Sequence, residues 1–322
     1  MRYSVVIPVY NRPDEVDELL DSLTRQTYTS FEVLIVEDGS TKSCEEVVSR
    51  YTHRLDIRYF EKENSGQGFS RNFGFDRCRG DFFVVFDSDC IIPPHYFDAV
   101  NEAMENEAFD CWGGPDRAHT SFSTVQKAIN YAMTSLFTTG GIRGRKKRID
   151  VFHPRSFNMG ISRNVYEQTG GYAITRMGED LEFSIRIMKQ GFKAIYIHDA
   201  YVYHKRRTDL RQFARQLHFF GRARINIQRF HPEELKMIHF FPILFLMGLL
   251  SLPFLSIFSA TLFTIGAGAY ALFALLLFAD AFRMEGNITI AALSVAAGFI
   301  QLSAYGIGFF SEFQAELTAG EE

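Results

Sequence analysis

Residues 3–37 read YSVVIPVYNRPDEVDELLDSLTRQTYTSFEVLIVE, and this stretch decides the fold class. YSVVIPV (3–9) and FEVLIVE (31–37) are short β-branched runs that each end near turn-forming residues. Between them Val16, Leu19, Leu20 and Leu23 recur at helical spacing. Strand, helix and strand within about thirty residues form a βαβ unit, which implies a parallel sheet covered by helices. The alternation continues with a strand near IRYFEK, a helix from about Gly68 to Cys78, and FFVVF at 82–86. The unbroken apolar run of that last segment predicts a strand buried on both faces. The first half is thus a doubly wound α/β domain.

Further along, residues 179–189 (EDLEFSIRIMK) predict an amphipathic helix with Leu181, Ile185 and Met188 on one face, followed by one strand over AIYIHDAYVYH. Residues 140–148, GGIRGRKKR, are either a solvated loop or a mobile lid whose cations meet phosphate. Residues 207–229 interleave basic side chains with Leu, Phe and Ile, which suits a helix lying along an anionic membrane surface.

The mean hydropathy of -0.06 hides an asymmetry, because nearly all charge precedes about Lys236. Segments 239–259, 261–280 and 288–310 are each long enough to cross a ~30 Å hydrocarbon core at ~1.5 Å per residue. Lys and Arg crowd the chain before the first segment, and SEFQAELTAGEE after the third has neither. The positive-inside rule then predicts a cytoplasmic N-terminal part and an external C-terminus. MRYSVVIPVYN lacks the longer apolar core of a signal peptide. A formal net charge of -4 argues against a nucleic-acid-binding chain. Cys44, Cys78, Cys90 and Cys111 form no C-x-x-C pair and read as ordinary thiols. The expected division is a catalytic domain over 1–230 and a membrane domain over 231–322.

Chemistry concentrates at strand and helix ends. FFVVFDSDC delivers Asp87 and Asp89 to the carboxyl end of a buried strand, the edge where open α/β sheets bind ligands. Two acids so close repel each other unless a cation neutralises them, and Mg²⁺ prefers one or two carboxylates plus phosphate oxygens. In GGYAITRMGEDLEF, Glu179 and Asp180 start a helix, where carboxylates favour the macrodipole. One of them is a cap and the other has the placement of a general base. Asp38 in VEDGST ends the second strand, as a ligand for a base or ribose or as a simple turn. Gly66 and Gly68 let backbone approach a ligand, and Arg71 is able to pair with phosphate. Trp112, before Gly113 and Gly114, forms a sugar-stacking wall or a packed turn; His198 and His204 flank a short strand.

Taken together, these residues resemble the family-2 glycosyltransferases with a GT-A fold, over roughly Arg2 to Phe230. The resemblance implies a GT-A nucleotide-diphospho-sugar transferase fold with a Rossmann-like mixed sheet, here joined to a C-terminal helical membrane domain. It implies that Pro8, Tyr10 and Asp38 contact the base and ribose and that Arg71 sits near the diphosphate. FDSDC resembles the family's D-x-D, with Asp89 the first metal ligand and Asp87 its nucleotide-side partner, which joins it in holding the metal. GEDLEF resembles the E-D motif, which makes Asp180 the catalytic base and Glu179 its substrate-side neighbour. His204 fits the place of a metal-completing histidine better than His198.

The implied activity is inverting transfer of one sugar from a nucleotide-diphosphate sugar, UDP-linked by default, with Mg²⁺ or Mn²⁺. The acceptor is a glycan or lipid-linked hydroxyl at the cytoplasmic face of a bacterial inner membrane, in cell-envelope polysaccharide biosynthesis. Glu37 stands where the family usually has the first Asp of D-D-G-S. RQLHFFGRAR lacks the tryptophan of a processive Q-x-x-R-W element, which disfavours a polymer synthase. A polyprenyl-phosphate glycosyltransferase is the alternative enzyme, and a non-catalytic nucleotide-sugar-binding membrane protein the alternative class.

Overall fold

A computed structural model describes residues 2–140 and 152–319, which pack as two compact units. The first joins residues 2–119 to 152–205, and the second joins 120–140 to 206–319. The packing groups the helices near 124–139 and 210–230 with the apolar C-terminal ones.

In chain order the first unit runs β1 (Tyr3–Val9), α1 (Pro13–Leu23), β2 (Phe31–Asp38), α2 (Glu45–Ser49), β3 (Ile57–Lys62), α3 (Gln67–Phe75), β4 (Phe82–Phe86), β5 (Cys90–Ile91), α4 (Tyr96–Asn106), β6 (Cys111–Gly113) and β7 (Asp116–Arg117). The chain passes through α5 (Thr124–Thr134) and α6 (Leu136–Thr139) of the second unit before β8 (Asn158–Ser162), α7 (Arg163–Thr169), α8 (Glu179–Lys189), β9 (Ala194–Tyr196) and β10 (Val202–His204).

A seven-stranded sheet has the order β3-β2-β1-β4-β8-β6-β9. β1 pairs parallel with both β2 and β4, and β8 runs antiparallel to β4 and β6. The sheet is thus mixed, with the doubly wound half as expected. Every residue of β2 is buried, as its apolar run requires. Pro13 opens α1 where its missing N–H costs nothing, and Val16, Leu19, Leu20 and Leu23 are its buried face. Glu32 and Ser4 are buried polar exceptions that satisfy each other, Ser4 Oγ donating to Glu32 Oε1 at 2.7 Å.

The parallel register sets the site. β1, β2 and β4 end at one edge, and β8 begins there, with Asn158 opposite Phe86. A second, three-stranded sheet has the order β5-β10-β7 and sets His204 opposite Cys90. The strand expected over AIYIHDAYVYH is therefore two strands, β9 and β10, which join different sheets. Their separation is what carries His204 back to the end of β4.

The second unit continues with α9 (Leu210–Phe230), α10 (Phe241–Phe258), α11 (Ala260–Glu285) and α12 (Ile288–Ala319). Among the described residues, three helices are long and apolar enough to cross a membrane: Met237–Phe258, Ala260–Glu285 and Ile288–Thr318. The basic stretch considered as a lid lies, after Gly140, outside the described residues.

Candidate active site

Asp89 lies just beyond β4, in a turn closed by the Cys90 N–H donating to the Asp87 carbonyl at 3.1 Å. The β5–β10 pairing brings His204 to it, with Nε2 3.1 Å from Asp89 Oδ1. On the other side Arg12, just before α1, donates from Nη1 to Asp89 Oδ2 at 2.6 Å. Burial acts to raise the Asp89 pKa, but the attraction of His204 and Arg12 outweighs it and holds the carboxyl below its usual range. Asp116 Oδ2 stands 3.8 Å from the far nitrogen of His204, and the Phe157 ring stacks on the imidazole at 5.1 Å.

Among the described residues, Asp89, Cys90 and His204 bring ligand atoms within 4.8 Å of one another. Two ligands each ~2.1 Å from an octahedral ion and at right angles to each other are ~3 Å apart, which matches the Asp89–His204 spacing. The carboxylate fits Mn²⁺ or Mg²⁺ in kind, and the imidazole favours Mn²⁺, the softer of the two. Cys90 does not fit: a soft thiolate suits zinc, copper or iron–sulfur centres rather than these hard ions, and its Sγ points to the Phe157 carbonyl at 3.6 Å.

Asp87 belongs to a different set. Its Oδ1 accepts from Arg71 Nη2 at 2.8 Å, and Arg71 Nη1 reaches Glu179 Oε1 at 3.2 Å. Arg71 is only 1% exposed, with its guanidinium 5.3 Å from the centre of the Tyr172 ring. Arg71 is thus a buried brace that ties the end of β4 to the start of α8. Gln67 Nε2 also donates to Glu179. Burial, then Asp180, raises the Glu179 pKa, and Arg71 opposes the rise. Asp180, the next residue, remains 22% exposed at its side chain. Its Oδ1 accepts from its own helix at Leu181 N (2.8 Å) and from Arg155 Nη1 (3.3 Å). Of the two acids, Glu179 is locked and Asp180 is reachable.

Asp38 is also fully engaged: Lys62 Nζ donates to it at 2.6 Å, Ser65 N at 2.9 Å and Gly66 N at 2.8 Å. Despite burial these bonds, Lys62 first, lower its pKa. Gly66 has φ +87, and a Cβ there would stand 2.5 Å from Thr175 Oγ1; at Gly68 it would stand 2.5 Å from the Ile174 carbonyl. Both glycines thus serve an approach of chain to chain beside α8. Pro8 lies on β1 opposite Val36, and Tyr10, 52% exposed, follows β1 on the same edge. Asn11 Oδ1 accepts from Thr41 N and Lys42 N, at 2.8 and 2.9 Å, and so ties the ends of β1 and β2 together. Glu37 accepts from Cys44 N at 2.8 Å and Tyr59 OH at 2.9 Å, a role inside the fold.

Trp112 corrects the sequence reading. It is fully buried, packed against Tyr3, Phe82 and Phe109, and its Nε1 donates to Tyr96 OH at 3.2 Å. It is a core residue and offers no wall to a sugar. His198 instead pairs with its neighbour Asp199 at 2.9 Å. Sequence reasoning missed Arg12, Gln67, Arg155, Asp116 and Tyr172. Only Arg12, in the turn between the first strand and the first helix, carried a positional signal.

Comparison with known proteins fits this geometry. Residues 4–170 match the family described as glycosyl transferase family 2. An uncharacterized glycosyltransferase of Rickettsia felis is 32% identical over 143 residues, covering 44% of this chain and 23% of the relative. The chain thus matches less than a quarter of that relative's length. A mannosyltransferase of Pyrobaculum calidifontis, solved with GDP-Man and Mn²⁺, superposes with a TM-score of 0.61 at 17% identity, covering 98% of this chain and 88% of that one. The 1–349 fragment of S. aureus TarS with UDP-GlcNAc gives 0.51 at 17% identity, covering 98% and 92%. At such identities the superpositions speak for the fold alone, and the fold is GT-A.

Proposed function

The chain belongs to glycosyl transferase family 2, and from that premise we propose that it is an inverting, divalent-metal-dependent enzyme that moves one sugar from a nucleotide-diphosphate sugar to a hydroxyl acceptor at a membrane. The observation that carries the reading is Arg71, whose two terminal nitrogens hold Asp87 and Glu179. One guanidinium thereby draws the D-x-D turn and the start of α8 to one place at the carboxyl edge of the sheet.

In this reading Asp180 accepts the proton of the acceptor hydroxyl. The oxygen so freed bonds to the anomeric carbon as the bond to the diphosphate breaks on the opposite face. Arg155 and the Leu181 N–H hold the Asp180 carboxylate in position. Arg71, with Gln67, fixes Glu179 and so fixes the first turn of α8. Asp89 and His204 would hold Mg²⁺ or Mn²⁺, which neutralises the departing diphosphate. Pro8, Tyr10 and Asp38 line the edge where the base and ribose would lie, with Asp38 shaping the 62–66 loop that closes it.

The two superposed enzymes carry a UDP-sugar and a GDP-sugar, so both donors are candidates, UDP first by family resemblance. A glycan or lipid-linked hydroxyl is the acceptor class, in cell-envelope polysaccharide synthesis, with residues 1–230 catalytic on the cytoplasmic face of a bacterial inner membrane and 231–322 in or on it. Nucleotide sugars screened by thermal shift with Mn²⁺, followed by NMR of the product's anomeric configuration, test this. A retained configuration, or no Mn²⁺-dependent shift with any nucleotide sugar, overturns it.

A further inference from the structure

The packing of the second unit separates its three apolar helices into two kinds. α10 and α11 form an antiparallel hairpin in which Gly248 faces Tyr270, Gly266 faces Leu252, and the Tyr270 hydroxyl donates to the Phe245 carbonyl at 2.6 Å. Leu244, Met247, Leu250, Phe254, Ile265 and Leu272 on it are exposed. No Asp, Glu, Lys or Arg occurs between Lys236 and Asp280. The 18 residues of α10 rise ~27 Å, close to the ~30 Å of a hydrocarbon core. The return helix leaves that environment at Leu277 and Ala281, buried against Tyr131 of α5, and Asp280 accepts from the Tyr131 hydroxyl at 2.9 Å.

α12 is different. Its 32 residues rise ~48 Å; it meets the hairpin near the hairpin's two ends, where Phe299 packs on Phe245 and Phe273 and Gly306 meets Pro242, but its course runs along α9. Phe213 and Leu217 pack on Ala297, Gly221 meets Tyr305, and Gly308 meets His218. Further on, Arg222 Nε donates to Glu312 Oε2 at 2.8 Å, and Arg229 reaches Glu312 at 3.2 Å and Glu316 at 3.0 Å. Residue numbers rise together along both helices, so the two run side by side in the same direction. α9 carries Arg211, Arg215, Arg222, Arg224 and Arg229, and a helix with that many arginines does not cross hydrocarbon. It begins only residues 206–209 after the sheet-bearing unit, too short a link to traverse a membrane. A helix bound along α9 stays on the side of α9.

We infer that the α10–α11 hairpin alone enters the bilayer core and that α12 lies beside α9 at the headgroup level on the catalytic side. The end of α12 is then on the same side of the membrane as the catalytic residues, contrary to the external position predicted from the charge distribution. That prediction counted three crossings. The pairing leaves two, and they return the chain to its starting side. Ile307 and Phe310 are exposed apolar side chains on α12, as an interfacial helix requires, and the polar stretch SEFQAELT that follows carries the helix end into water.

The four native cysteines are buried, so introduced ones report cleanly. Glu105→Cys on α4 and Leu317→Cys on α12, both at exposed positions, are probed with a membrane-impermeant maleimide in sealed vesicles of the two opposite orientations. The expected result is that both label in one orientation and both lose labelling in the other. Labelling of Leu317→Cys only where Glu105→Cys is protected overturns the inference. If Leu317→Cys fails to accumulate, exposed Gln314→Cys gives the same readout. None of these residues belongs to the candidate active site, so the outcome is independent of the proposed transfer reaction.

Discussion

His204 meets Asp89 across two sheets, with Nε2 3.1 Å from Oδ1. The contact exists because β10 pairs with β5 immediately after the β4 turn. If this pair holds the divalent ion, His204→Ala removes a ligand and leaves Asp89 to Arg12 alone. Mn²⁺ affinity should fall by on the order of tenfold or more, read as a shift of the Mn²⁺ titration of sugar transfer. An unchanged titration would take His204 out of the metal site.

Asp180 and Glu179 should separate kinetically. Asp180→Asn removes a general base and should lower kcat by roughly 10²–10⁴-fold, with the donor-induced thermal shift preserved. Glu179→Gln removes one of two carboxylate partners from the buried Arg71 guanidinium. That change should lower Tm and loosen donor binding, since it acts on the frame of the site. Equal losses of kcat with equal losses of Tm in both variants would contradict the division of roles.

The elements that local pattern alone determines were legible. α8 spans Glu179–Lys189 as its apolar spacing and N-terminal acids predict, and β2 runs Phe31–Asp38, one residue beyond its apolar run. Acids at strand and helix ends were legible for the same reason. Their pairings with cations were not, because Arg12, Arg71 and Arg155 reach Asp89, Asp87 and Asp180 from other elements. Trp112 was ambiguous because Gly113 and Gly114 suit either a sugar-stacking wall or a packed turn. In fact a Cβ at Gly114 would stand 1.8 Å from the Ala200 carbonyl, so that glycine permits close backbone packing inside the fold. The reversed strand β8 and the split of β9 from β10 depend on long-range pairing, to which hydrophobic periodicity is blind.

Glu32 predicts an acid limit of stability. Its buried carboxylate accepts from Ser4, Arg79 and Arg58. Burial alone would raise its pKa, but these donors outweigh it and lower the value from 4.5 to about 2. A depressed carboxylate stabilises the fold above its unfolded pKa, and the contribution disappears as pH falls from about 4.5 to about 2. Discounting for the partly exposed arginines leaves about 2 kcal/mol at neutral pH. Glu32→Gln should therefore melt below the parent at neutral pH, and the two Tm values should converge as the pH falls through that window. A gap that stays constant would mean that the charge of Glu32 contributes nothing.

The α9–α12 seam yields a packing prediction with an internal control. A Cβ on Gly308 would stand 1.9 Å from the His218 carbonyl, and backbone cannot swing aside as a side chain can. Gly308→Ala must push the helices apart, at about 1–3 kcal/mol of overpacking strain, and so weaken the Arg222–Glu312 pair beside it. On α11, Gly268 has nothing within 4 Å of the same position. Gly268→Ala should leave Tm unchanged or raise it slightly, because alanine is the better helix former. A Gly308→Ala protein that melts with the parent in detergent would mean that the seam is looser than the glycine contacts require, and α12 would then be free to leave α9.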